Sequence, residues 1–140
     1  MKYLLDTCTI SEVTKERPNS NVVSWYETRE ETRLHLSVIT IGEIEKGIYG
    51  LPRSKKRTRL ERWFYDAVVP SFRGRILEIG QGTMSTWAKL NVDLNVKGVV
   101  RPSFDSLLEA TAVEHDLIFV TRNVKNFQQS EAAIFNPWDE

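Results

Sequence analysis

The chain of 140 residues has one cysteine, two histidines and no long apolar run, and each scarcity excludes a class of protein. Cys8 alone cannot form an internal disulfide, which excludes a disulfide scaffold and agrees with a reducing compartment. His35 and His115 have no partner at the spacing of zinc ligands. The apolar segment before Asp6 is too short for a signal peptide, and no stretch could cross a bilayer. We therefore expect a cytoplasmic protein.

Net charge is also absent, since nineteen basic residues balance nineteen acidic ones. The overall composition therefore lacks the positive charge that is typical of a nucleic-acid-binding domain. The one basic cluster is RSKKRTRLER, residues 53–62. It is either a solvated helix face whose arginine stems cover apolar surface, or a patch that contacts a phosphate backbone. In the second case the candidate RNA-binding residues of the cluster are Arg53, Lys55, Lys56 and Arg57.

What the chain does contain is the composition of one folded domain. Hydrophobic residues make up 41% and charged residues 27%, which is enough to form a core and argues against disorder. The length suits a single domain over residues 1–140.

Short apolar runs alternate with longer segments of helical periodicity. The predicted strands are residues 2–5, 34–39, 75–79, 117–121 and a last one within 132–138. The predicted helices are residues 9–16, 22–30 with Ser20 or Asn21 as cap, 40–51, 54–69, 81–95 and 104–115. Strands separated by helices pair in parallel through crossover connections. The sequence therefore predicts the α/β class.

Acidic side chains occur at the ends of the predicted strands and at the starts of the predicted helices. Asp6 follows the first strand, Glu43 comes soon after the second, and Asp105 opens the helix before the fourth. The carboxyl ends of parallel strands share one edge of a sheet, where sites in this class form. The fourth strand brings three more polar residues to that edge, namely Thr121, Arg122 and Asn123.

Each acid also has a purely structural interpretation. Thr40 and Glu43 have the spacing of a capping box at a helix start. Asp105 suits the dipole of a first helical turn, and Asp6 could cap the helix that follows it. Taken singly, these interpretations are the more common ones.

Taken together, three carboxylates at one edge repel one another unless a cation lies among them. A set of oxygen ligands without a cluster of cysteine and histidine suits Mg²⁺ or Mn²⁺ better than zinc. Such an ion keeps water ligands and contacts phosphate oxygens, so the expected chemistry is a reaction at a phosphoryl group.

Four segments in this order resemble the VapC-type PIN-domain toxins: LLDTCTISE, SVITIGEIEKGI, PSFDSLLEATAVEHDLIFVTRNVKNF and IFNPW. The resemblance implies an α/β/α sandwich with a parallel sheet of about five strands. It also implies an Mg²⁺-dependent endoribonuclease that cuts structured RNA, such as transfer or ribosomal RNA. The implied partners are a VapB-like antitoxin that inhibits the enzyme and a second copy of the chain in a homodimer.

The resemblance assigns the metal site to Asp6, Glu43 and Asp105, with Thr121 as a polar neighbour. Thr7 is a further candidate supporting residue. Arg122 becomes a candidate for contacting RNA phosphates. Three positions depart from the family pattern. Asn123 and Asn126 stand where aspartate is common, and Cys8 stands where asparagine is usual. A weaker metal site is the expected consequence.

Glu109 lies one helical turn beyond Asp105, where relatives have a small residue. It either assists the site or faces solvent.

Two other functions remain open from the sequence. DTCTI resembles the start of haloacid-dehalogenase-type phosphatases, although Cys8 stands in place of their second aspartate. The second alternative is a PIN-like binding module without catalytic activity, because Cys8 and Asn123 weaken the acidic set.

Overall fold

A parallel sheet forms the centre of the computed structural model, which describes residues 1–139. Its strands are β1 (Tyr3–Leu5), β2 (Leu34–Ser37), β3 (Ile76–Leu77), β4 (Ile118–Val120) and β5 (Ile134–Phe135). Their order in the sheet is β3-β2-β1-β4-β5, and every neighbouring pair is parallel. The predicted α/β class with a five-stranded parallel sheet is confirmed.

Helices connect the strands and cover both faces of the sheet. They are α1 (Thr7–Glu12), α2 (Ser20–Glu27), α3 (Val38–Tyr49), α4 (Lys55–Arg62), α5 (Val69–Ser71), α6 (Gln81–Val96) and α7 (Ser103–Glu114), with a π-helical segment, Trp63–Val68, joining α4 to α5. Short 3-10 turns occupy Glu31–Arg33, Val124–Phe127 and Pro137–Asp139. Within the described residues, no helix has the length and apolar character that a membrane span requires.

The side chains of β1 alternate between two hydrophobic layers, as the pleat of a strand requires. Tyr3 and Leu5 pack into the layer that also contains Phe64 of the π-helical segment. Leu4 packs into the opposite layer with Leu108 of α7. This double burial places β1 at the centre of the molecule and fixes the position of its carboxyl end, where Asp6 follows.

The second predicted strand was two residues too long. The structure ends β2 at Ser37 and begins α3 at Val38, because the Ser37 hydroxyl accepts a hydrogen bond from the amide of Ile39 at 3.0 Å. The proposed capping box of Thr40 and Glu43 is therefore wrong. Thr40 is buried inside α3 and does not cap it, because Ser37 is the N-cap. The Glu43 carboxylate therefore has no capping role.

Candidate active site

Asp6 is fixed by hydrogen bonds to both of its carboxylate oxygens. It caps α1, because its Oδ1 accepts from the amide of Thr7 at 2.8 Å. Its Oδ2 accepts from the hydroxyl of Thr121 at 2.7 Å, across the junction of β1 and β4. The amide of Asp6 also donates to the carbonyl of Val120 at 2.9 Å. The predicted capping role is thus real, and it orients the carboxylate at the sheet edge.

Glu43 reaches the same edge from α3. Its Oε1 accepts a hydrogen bond of 2.7 Å from the hydroxyl of Thr7, the residue that directly follows Asp6. The Glu43 side chain is otherwise exposed to solvent. Thr7 therefore links two of the predicted acids, with its amide on one carboxylate and its hydroxyl on the other.

Asp105 lies in the first turn of α7 and is half-buried. Its burial and then the nearby Asp6 carboxylate raise the pKa of Asp105, Glu109 raises it further, and Arg101 lowers it. The Asp6 carboxylate is thus an electrostatic neighbour that disfavours the charge of Asp105. A cation between the two carboxylates would offset their repulsion.

The acids do not form a closed ligand cluster. Within residues 1–139, no three histidine, cysteine, aspartate or glutamate side chains lie close enough together to hold one ion. Mg²⁺ needs no such cluster, since proteins bind it through one or two carboxylates and leave water on the remaining positions. The residues fit a hydrated Mg²⁺ or Mn²⁺, which Asp6 and Asp105 would hold, with Glu43 as the third predicted ligand.

Thr121 and the residues after it occupy the turn beyond β4. Thr121 is buried, and its hydroxyl oxygen also accepts a hydrogen bond from the amide of Asn123 at 3.1 Å. Asn123 is exposed one step from the Thr121 contact with Asp6. The exposed Arg122 guanidinium lies 5.5 Å from the ring centre of Trp138. This turn therefore supports Asp6 on one side and presents a positive charge on the other.

Cys8 contacts the same carboxylate. Its thiol donates to Oδ2 of Asp6 at 3.4 Å and lies 3.8 Å from the Thr121 hydroxyl. Burial and the negative charge of Asp6 raise the pKa of Cys8, so the thiol stays protonated at neutral pH. A protonated thiol is a weak donor and adds no negative charge to the site.

Glu109 forms a buried ion pair that the sequence did not reveal. Its oxygens Oε1 and Oε2 each lie 2.9 Å from the Arg101 guanidinium, and the two side chains are 1% and 3% exposed. Of the two alternatives for Glu109, exposure to solvent is therefore wrong. Arg101 also donates to the carbonyls of Asn126 at 2.8 Å and Gln128 at 3.0 Å, so it ties α7 to the turn after β4. As a possible supporting residue of the metal site, Glu109 stays a prediction.

The predicted RNA-binding residues divide into two groups. Arg53 lies just before α4, and Lys55 and Lys56 begin it. All three are exposed, and within residues 1–139 none of them forms an ion pair. Arg57 is half-buried, lies 3.4 Å from Glu61 and donates to the carbonyl of Leu51 at 3.2 Å. The three exposed side chains are free to contact phosphates, whereas Arg57 supports the local structure.

Fold and site together define an α/β domain with an acidic centre at the carboxyl edge of a parallel sheet. The family model described as PIN domain matches residues 3–131, and the chain belongs to the PIN-domain family. The resemblance to VapC-type toxins is confirmed, and the haloacid-dehalogenase alternative is not supported.

Two curated relatives match almost end to end. Toxin FitB of Neisseria gonorrhoeae is 32% identical over 137 residues, which cover 98% of this chain and 99% of the relative. VapC ribonuclease Y4jK of Sinorhizobium fredii is 32% identical over 136 residues, which cover 97% of each chain. Among solved structures, FitAcB from Neisseria gonorrhoeae superimposes with a TM-score of 0.94 at 32% identity and 99% coverage of both chains.

Proposed function

We propose that this chain is the toxin of a VapBC-type toxin–antitoxin system and acts as an Mg²⁺-dependent endoribonuclease on structured RNA, transfer or ribosomal. The observation that carries the proposal is the pair of carboxylates Asp6 and Asp105 at the sheet edge, where burial and the charge of Asp6 raise the pKa of Asp105. Mn²⁺ has the same preference for oxygen ligands and could replace Mg²⁺. The relative named VapC ribonuclease Y4jK supports this activity.

In this proposal each side chain has a defined task. A bound divalent ion supplies Lewis acidity and an activated water for attack on the scissile phosphate. The Thr7 amide and the Thr121 hydroxyl hold Asp6 in one orientation. Metal binding would therefore cost little side-chain entropy at Asp6. The Thr7 hydroxyl holds Glu43 toward the same edge. Arg122 and the start of α4 would contact RNA phosphates away from the reacting bond.

The proposed protein partners are a VapB-like antitoxin and a second copy of this chain. Similar solved structures support the antitoxin, since they are described as FitAcB and as FitAB bound to a DNA fragment. An antitoxin that occupies the acidic edge or the basic surface near α4 would exclude RNA by competition.

Cleavage by the purified protein tests the activity. Transfer RNA incubated with the protein and Mg²⁺ is expected to yield discrete fragments, and chelation of the metal by EDTA is expected to stop the reaction. Fragments that persist undiminished in EDTA would contradict metal dependence. Binding of RNA without any cleavage in Mg²⁺ or Mn²⁺ would instead favour the binding module without catalytic activity.

Charge reversal at Lys55 and Lys56 is expected to weaken RNA binding and to flatten its dependence on salt. Log affinity falls as log salt concentration rises. Each lost phosphate contact makes this negative slope shallower by about 0.7 to 0.9, because fewer counterions are released. Fluorescence anisotropy with labelled transfer RNA at several salt concentrations measures both quantities. Lys2→Glu and Lys89→Glu change the same charge at exposed positions outside α4 and form the control. An equal slope in both double variants would show that α4 is a solvated face only.

Asn123→Asp is expected to tighten Mg²⁺ binding several-fold. The added carboxylate lies one step from the Thr121 contact with Asp6, and a bound ion would offset its repulsion from the other acids. Isothermal titration calorimetry with Mn²⁺ and Mg²⁺ compares the two proteins.

The control for this titration is Gln81→Glu, another exchange of an amide for an acid. Gln81 begins α6, whose first turn contacts Glu114 through the Thr83 hydroxyl, at the end of α7 opposite to Asp105. Metal affinity that is unchanged or weaker in Asn123→Asp would place Asn123 outside the metal site.

A further inference from the structure

A groove beside the acidic edge has no role in the mechanism above. Its volume is about 470 Å³, and it lies between α3 and the start of α7. The lining residues are Glu43, Lys46, Gly47, Gly50, Leu51 and Phe104. This volume falls in the range of about 300 to 1,000 Å³ that is usual for small-molecule sites. Glu43, a predicted metal ligand, lines one side of the groove. Phe104, which directly precedes Asp105 in the sequence, lines the other side.

Phe104 is exposed in a way that folding does not explain. Its side chain is 62% exposed at the second position of α7, and the close aromatic ring contacts within residues 1–139 do not include it. A phenylalanine that stays in water forgoes the stabilisation that its burial would give. The ring face is therefore available to a flat ligand at the edge where Asp6 and Asp105 lie.

Gly47 keeps the opposite side of the groove open. It lies inside α3, where glycine destabilises a helix by about 1 kcal/mol relative to alanine. A Cβ atom added to Gly47 would meet no atom within 4 Å, so packing within the chain does not require glycine there. A ligand that approaches the backbone of α3 closely would require it.

We propose that this groove binds an unpaired base of the RNA substrate, next to the scissile phosphate, with the base stacked on Phe104. The proposal rests on the ribonuclease function proposed above and assigns a substrate subsite to it. Exposed Lys46 supplies a positive charge for the phosphate of the bound nucleotide. Proteins recognise RNA chiefly at unpaired bases that stack on aromatic side chains. A second copy of the chain would also cover an apolar wall, but it would not need the groove to open onto the acids.

The test is the affinity for a labelled single-stranded RNA of ten adenosines, measured by anisotropy in EDTA so that the RNA stays intact. Phe104→Ala is expected to weaken binding about tenfold, the typical loss of one stacked base. The dependence on salt is expected to stay unchanged, because no charge is removed. Phe104→Trp is expected to bind as the native protein does and to lose tryptophan fluorescence when RNA binds.

Gly47→Leu separates this proposal from a loss of folding. Leucine favours the helix and its Cβ atom meets no atom within 4 Å, so the variant should fold. Its side chain is expected to fill the groove and to weaken binding as much as Phe104→Ala does. Val100→Ala removes an apolar side chain that is 88% exposed and should change nothing.

Native affinity in both Phe104→Ala and Gly47→Leu would overturn the subsite, even if the native protein cleaves RNA. Loss of dimers in Phe104→Ala, with RNA affinity intact, would assign the groove to a second copy.

Native protein that binds the probe through Phe104 but cleaves no RNA in Mg²⁺ would contradict the proposed activity and leave the subsite supported. A native protein that does not bind the probe would overturn the subsite, and its cleavage of transfer RNA would then decide the proposed activity separately.

Discussion

Asp6→Asn and Glu43→Gln are each expected to lower the rate of Mg²⁺-dependent RNA cleavage by at least about a hundredfold, because each removes a charge that the metal needs. Neither change should unfold the protein. The side-chain oxygen of the new asparagine can still accept from the Thr7 amide, and that of the new glutamine can still accept from the Thr7 hydroxyl. Initial rates of RNA cleavage, together with thermal unfolding of the same samples, measure both effects.

Matched controls for these variants are Asp66→Asn and Glu31→Gln, at two exposed positions; Glu31 precedes β2 and so lies toward the opposite, amino edge of the sheet. They remove the same charges and should retain the native rate. If either Asp6→Asn or Glu43→Gln cleaves RNA within about twofold of the native rate, the corresponding residue does not bind the catalytic metal.

Arg101→Met is expected to lower the free energy of unfolding by about 3 to 5 kcal/mol, because it leaves the Glu109 carboxylate buried without its partner. The carbonyls of Asn126 and Gln128 lose their donor in the same variant. The double variant Arg101→Met with Glu109→Leu removes the unpaired charge and should recover much of the loss. Urea denaturation of the single and double variants gives the free energies.

Arg33→Met is the control for this series. Arg33 pairs with Glu30 at 3.3 Å, but the two side chains are 43% and 72% exposed. An exposed pair of this kind contributes about 0 to 1 kcal/mol, so this variant should remain close to the native stability. A small loss in Arg101→Met, comparable with that of Arg33→Met, would contradict a structural role for the buried pair.

The sequence predicted the fold class because short apolar runs alternate regularly with longer helical segments. The boundary at Ser37 could not be read in this way. Val38 and Ile39 continue the β-branched pattern of β2, yet they begin α3, since the Ser37 hydroxyl satisfies a free amide of the helix. The local β propensity favoured a longer strand, but the Ser37 cap ends the strand and begins the helix.

The contact between Asp6 and Thr121 was predictable, because both residues follow parallel strands that end at one edge of the sheet. The partner of Glu109 was not predictable. Arg101 precedes α7 in a loop, and its approach to Glu109 depends on the path of that loop and of the turn after β4. The sequence contained one usable hint, namely a charged residue at position 109 on a helix whose neighbouring positions are apolar.

The most direct test of the proposed function is sequencing of RNA 5′ ends after induction of the protein in a bacterial host. The native protein is expected to arrest growth and to produce new 5′ ends at a few defined positions in transfer or ribosomal RNA. Asp6→Asn, expressed at the same level, should do neither. New ends of equal abundance with both proteins, or growth arrest without any new ends, would contradict the proposal that this acidic edge cleaves RNA.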